Sequence, residues 1–83
     1  MEQIKVYGTK WCPDCFRAKH ILNKHKIEFI WIDIEKDEDA CTYVQKVNGG
    51  YQSVPTIVFP DGSVLVEPSN AGLEQKLKET GFI

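Results

Sequence analysis

The sequence has no apolar run long enough to cross a bilayer. Its longest stretch, around Phe29 to Ile34, falls far short of the roughly 20 residues a membrane-spanning helix needs. It also lacks a basic excess. Ten Lys and Arg stand against twelve Asp and Glu, for a net charge of −2, so no footprint for nucleic acid or an anionic membrane is visible. No low-complexity tract interrupts the chain. With 42% hydrophobic residues over 83 positions, it holds the material for one ordered domain, 1–83, and no second core. "MEQIKVYG" carries Glu2 ahead of an apolar run too short for a secretory signal, so a soluble, cytoplasmic protein is expected. Cysteine is scarce, at three residues. A reducing compartment disfavours a structural disulfide framework, and an odd count leaves at least one thiol outside any internal pair.

What is present alternates between strand and helix patterns. "QIKVY", residues 3–7, suggests a short strand. From Pro13 to about His25 the spacing turns helical, with Cys15, Ala18 and Leu22 on one stripe widened by Phe16 and Ile21. Pro13 suits the first helical position, where its missing N–H costs nothing. "IEFIWIDI", residues 27–34, is nearly continuous in apolarity, as a strand covered on both faces would be. Asp37 can cap a second helix through Ala40, Tyr43, Val44 and Val47, which Asn48-Gly49-Gly50 stops. Pro60-Asp61-Gly62 marks a turn between strands 56–59 and 63–66. Ser69 or Asn70 caps a last helix that runs through Leu73 and Leu77 to about Lys78. The order β-α-β-α-β-β-α predicts an α/β fold: a mixed four-stranded sheet flanked by three helices.

The chemistry lies in "KWCPDC", residues 10–15. Cys12 stands at the mouth of the first helix, where unpaired N–H groups and the helix dipole favour a thiolate, the nucleophilic form. Cys15 lies one turn further in, on the core side. The expectation is that an exposed Cys12 attacks and a shielded Cys15 resolves. Asp14 opposes a neighbouring thiolate by roughly 1–2 kcal/mol, while Pro13 shapes the helix start. A zinc half-site would need a second close pair of ligands. Only Cys41, His20 and His25 are available, and the two histidines lie along the same helix as Cys15. A module that holds a metal or iron–sulfur cluster through Cys12 stays open as an alternative. Cys41 reads as a bystander thiol, and the acidic run Glu35-Lys36-Asp37-Glu38-Asp39 as a solvated loop entering a helix.

"TKWCPDC", the "SVPT" some forty residues later and the order of elements together resemble the glutaredoxins of the thioredoxin superfamily. The resemblance spans essentially the whole chain and is closest to the mycoredoxin-like branch, through "VNGG" and "SVPTIVFPDGSVLVEPS". It implies a thioredoxin-like, glutaredoxin-type fold and a dithiol–disulfide oxidoreductase for cell redox homeostasis and electron transport. Cys12 would be the nucleophile and Cys15 the resolving thiol. A cis Pro55 would leave Val54's backbone free to pair with substrate. Lys10, Trp11, Tyr51, Gln52, Val54, Ser69 and Asn70 would line the groove. No bound cofactor or metal is implied, because the sulfurs carry the electrons. Glutathione, mycothiol or another small thiol would be co-substrate, with a flavoprotein reductase such as thioredoxin reductase as a further source of electrons. Disulfide-bearing proteins would be substrates, and the chain would act as a monomer.

Three positions depart from the common pattern. Asp14 replaces the usual aromatic of CPYC. Lys10 is two residues before the nucleophile rather than three, with Thr9 in the expected place. "VEPSN" stands where glutathione-binding members carry Gly-Gly. "WCPDC" also resembles the motif of a thioredoxin-related group whose chains are longer.

Overall fold

The computed structural model describes residues 3–83; Glu2, part of the amino-terminal reading above, lies outside them. Four strands and three helices follow in the expected order: β1 Ile4–Gly8, α1 Pro13–Lys24, β2 Phe29–Asp33, α2 Glu38–Val47, β3 Thr56–Val58, β4 Val64–Val66 and α3 Asn70–Glu79. The sheet order is β2-β1-β3-β4. β1 pairs parallel with β2 and antiparallel with β3, and β3 pairs antiparallel with β4.

Local chemistry places the boundaries. Asp37 accepts the Ala40 N–H at 3.0 Å and caps α2. Ser69 accepts the Gly72 N–H at 3.0 Å and caps α3, which settles the choice between Ser69 and Asn70. Side-chain oxygens of this kind satisfy donors that have no intrahelical partner. In the turn after β3, Gly62 takes a φ of 89°, which a β-carbon would resist. The residue before it, Asp61, accepts from the backbone N–H of Ser63 at 2.9 Å.

The core forms on both faces of the sheet. On one, Ile4, Val6 and Ile57 meet Ala18, Ile21 and Leu22 of α1 and Leu73 and Leu77 of α3, with Phe59 at the edge. On the other, Tyr7 and Ile34 meet Ala40 and Val44 of α2. Two expectations need correction. The strand read over 27–34 is shorter and lies at the sheet edge, so its residues are only partly covered and Ile30 is exposed. Its apolar run reflects Ile27 and Ile34, which are buried in the loops at either end. Phe16 does not widen the buried stripe of α1. One residue beyond Cys15, it is turned about 100° away and stays half exposed, with Lys19 Nζ 5.3 Å from its ring centre.

Candidate active site

Register explains why residues forty apart in sequence meet. Tyr7 near the end of β1 pairs with Thr56 at the start of β3. The loop out of β1 therefore leaves the sheet beside the segment entering β3. The first loop carries Thr9 to Cys12, and the second carries Gln52 to Pro55. Thr56, fully buried, donates to the Ser53 carbonyl at 2.8 Å and accepts from Asn48 Nδ2 at 3.1 Å, which pins that second loop. The Val54–Pro55 bond is cis.

Cys12 is the N-cap of α1, and its sulfur accepts the Cys15 backbone N–H at 3.2 Å. It also lies 3.9 Å from the Val54 carbonyl oxygen. Donation from the first turn of a helix favours negative charge on the acceptor. Pro13 follows at the first helical position, as expected. Cys15 is completely buried, and burial pushes its thiol up to about 12, with its hydrogen bond to Cys12 adding to the rise. Hydrogen bonding from the Thr9 backbone and the charge of Lys19 oppose that rise. At neutral pH Cys15 is therefore a thiol. The expected contrast in exposure is smaller than the sequence suggested: Cys12 is only 5% exposed. Its sulfur is folded back onto the helix start and reaches solvent through a cleft. The Thr9 hydroxyl is buried there with no partner among the described residues.

The cleft, of about 430 Å³, is open to solvent. One wall is Trp11 and the helix start from Cys12 to Asp14; the other is residues 51–54, with Glu67 completing it. Trp11, Tyr51, Gln52 and Val54 thus meet around Cys12. Lys10, Ser69 and Asn70, expected to line the groove, are not on the cleft wall; the exposed Ser69 hydroxyl caps α3 instead. Asp14 pairs with Arg17 one turn on, so its charge is partly answered within the helix. A larger hollow lined by Gln3, Asn23, Lys26, Ile27, Glu28 and Phe29 lies at the opposite end of β1 and contains no thiol.

Three residues at or beneath the site escaped the sequence reading. Gly8 lies under it: a β-carbon there would meet Cys15 Sγ at 2.6 Å and Trp31 at 2.7 Å. Glu35 accepts the Trp11 indole N–H at 3.1 Å. Glu67 lines the cleft from a left-handed backbone (φ 47°), its N–H donating to the Pro55 carbonyl at 2.9 Å. Only "VEPSN", where a Gly-Gly pair was missing, hinted at the last. Among the described residues no three His, Cys, Asp or Glu side chains converge as metal ligands, and no helix is long and apolar enough to cross a membrane.

Comparison with known proteins bears on the family and the fold. The glutaredoxin family model matches residues 4–65. A protein of Mycobacterium tuberculosis that bears the glutaredoxin name is 40% identical over 74 residues, covering 89% of this chain and 88% of its own length. Mycoredoxin 1 of Corynebacterium glutamicum is 33% identical over 78 residues, covering 94% and 96%. Among solved structures, a thioredoxin-like protein superposes with a TM-score of 0.76 at 30% identity, covering 88% of this chain and 97% of that one. NrdH-redoxin from Escherichia coli shares the fold, with a TM-score of 0.72 at 15% identity and coverage of 89% and 93%.

Proposed function

The chain belongs to the glutaredoxin family of thiol–disulfide oxidoreductases, and on that premise we propose that it reduces protein disulfides or mixed disulfides of a small thiol through Cys12 and Cys15. The observation that carries this reading is Cys12 Sγ at the N-cap of α1, accepting the Cys15 N–H at 3.2 Å and opening onto the cleft. Cys12, as thiolate, attacks one sulfur of the substrate disulfide and expels the other as a thiolate, which takes a proton from solvent. The resulting mixed disulfide brings the substrate sulfur against Val54. Cys15 then gives up its proton and attacks Cys12 Sγ, releasing the second substrate thiol and leaving a Cys12–Cys15 disulfide. Two electrons pass from the protein to the substrate. Burial of Cys15 keeps it protonated until the mixed disulfide forms, so that it resolves rather than competes for the first attack.

In the same reading the chain works as one monomeric domain in the cytoplasm, and a small thiol returns it to the dithiol. The relationship to mycoredoxin 1 supports mycothiol or glutathione as that thiol; a flavoprotein reductase is the other route. The test begins with oxidised protein. Loss of its disulfide is followed with excess glutathione, with mycothiol, and with NADPH and thioredoxin reductase. Fast reduction by a small thiol is the expected result, whereas reduction by the reductase alone would reassign it to a thioredoxin-like cycle. If no intramolecular disulfide forms under oxidation, the proposal fails.

A further inference from the structure

The cleft beside Cys12 has an unusual wall for a site meant to receive an anionic thiol. Its side chains include two exposed aromatics, Trp11 at 65% and Tyr51 at 74%, two carboxylates, Asp14 and Glu67, and no lysine or arginine. The charges facing the cleft can be accounted for one by one. Arg17 answers Asp14, and Glu35 is engaged by the Trp11 indole. Lys10 precedes Trp11 but is not on the wall. Glu67 has no cation within 4 Å among the described residues. It is held at the rim because the left-handed turn after β4 is tied to the Pro55 carbonyl, directly beside the Val54 carbonyl that faces Cys12.

A cleft that holds an unanswered carboxylate and two exposed aromatic rings suits a cationic side chain. The carboxylate supplies the opposite charge and each ring face adds attraction to a cation lying over it. Resting on the oxidoreductase reading, we propose that this cleft recognises protein disulfides through a lysine or arginine flanking the substrate cysteine, with Glu67 as its charge partner and Trp11 and Tyr51 as the faces over which it lies. The same wall disfavours peptide disulfides with carboxylates beside the cysteine, and by the same charge makes glutathione the less favoured of the two small thiols named above. The selectivity acts on the attack by Cys12. Each turnover consumes one reduced protein and one peptide disulfide, and yields two peptide thiols and the Cys12–Cys15 disulfide.

The test is a single-turnover assay with two blocked symmetric peptide disulfides, one with lysine and one with glutamate on both sides of the cysteine. Reduced protein is mixed with each, and the peptide thiol released is measured after acid quench. Reduction by dithiothreitol, which has no cleft, supplies the intrinsic reactivity of each peptide, and rates are divided by it. The expected normalised preference for the lysine peptide is about tenfold or more at low salt, shrinking to within about twofold near 1 M salt, where charges are screened within roughly 3 Å. In Glu67→Gln the preference falls by about threefold or more. A normalised ratio near one, with thiol still released, overturns the charge selectivity and leaves the oxidoreductase reading standing. A preference that survives intact in Glu67→Gln overturns the role of Glu67. No thiol from either peptide, while dithiothreitol reduces both, overturns the selectivity and the oxidoreductase reading together.

Discussion

Gly8 and Cys15 approach so closely that a β-carbon on Gly8 would lie 2.6 Å from the Cys15 sulfur, with the Trp31 indole at 2.7 Å on the other side. The sulfur has little room to retreat, whereas Trp31 is only partly buried. Cys15 is fully buried within the first turns of α1, and Lys19 Nζ lies 3.9 Å from the centre of the Trp31 ring. The contact couples the end of β1 to the position of the resolving thiol. Gly8→Ala is expected to destabilise the fold by about 1–3 kcal/mol, as overpacking does, and to slow resolution of the mixed disulfide. Urea unfolding of the reduced variant checks the first, and the lifetime of a mixed disulfide checks the second. An alanine variant as stable as the parent would mean that the contact relaxes freely.

Asp14 and Arg17 act as a pair, so their substitutions should oppose one another. Removing the carboxylate stabilises a neighbouring thiolate, hence the reduced state, and raises the potential of the Cys12/Cys15 couple. Removing Arg17 leaves Asp14 unanswered and lowers it. Because both side chains are well exposed, screening limits each shift to no more than about 30 mV. The Asp14→Asn shift should be larger in an Arg17→Ala background than in the parent. Equilibration in thiol–disulfide buffers at low and high salt measures this, and a fall in potential for Asp14→Asn would reverse the assigned sign.

Glu35 holds Trp11 from a loop that sequence alone marks only as acidic and solvated. Glu35→Ala frees the indole and should raise KM for disulfide substrates by about two- to tenfold, the equivalent of one solvent-exposed hydrogen bond, with kcat unchanged. Glu35→Gln keeps an acceptor and should recover most of the loss. Stability should move by less than about 0.5 kcal/mol, as at other surface sites. A fall in kcat with KM unmoved would show that Trp11 does more than wall the cleft.

The Cys15 thiol makes the reduced protein sensitive to alkali. In the unfolded chain such a thiol ionises near 9.0, while in the fold burial pushes it to about 12. Below the lower value both states keep the proton and the group contributes no pH dependence. Above it the unfolded chain binds fewer protons, so stability falls with rising pH by up to about 1.4 kcal/mol per unit. Tyr7, also raised by burial, adds to the loss above about pH 10, which makes pH 9–10 the informative window. Urea midpoints there should fall in the reduced parent and stay flatter in Cys15→Ser. Parallel slopes in the two proteins would remove Cys15 as the cause.

Local sequence was enough for the elements and the dithiol. Proline at a helix start, Asp37 at a cap and the Pro60-Asp61-Gly62 turn act over a few residues, so their consequences are readable without a fold. The position of Cys12 at a helix mouth is local in the same way. The edge position of β2 was not readable, since an apolar run has the same appearance whether a strand is central or its buried residues lie just beyond its ends. Phe16 was misplaced because a helical stripe has no sharp margin until its partner surface is known.

By itself, then, the sequence determined the order of strands and helices and the pairing of a capping cysteine with one a turn inside, because both depend on interactions between near neighbours. Only the tertiary structure decided which residues meet that pair. The antiparallel register of β1 with β3 brings Val54 to Cys12, the turn after β4 delivers Glu67 to the cleft, and the loop after β2 sets Glu35 against Trp11. These contacts link residues 24 or more positions apart, and no periodicity along the chain encodes them.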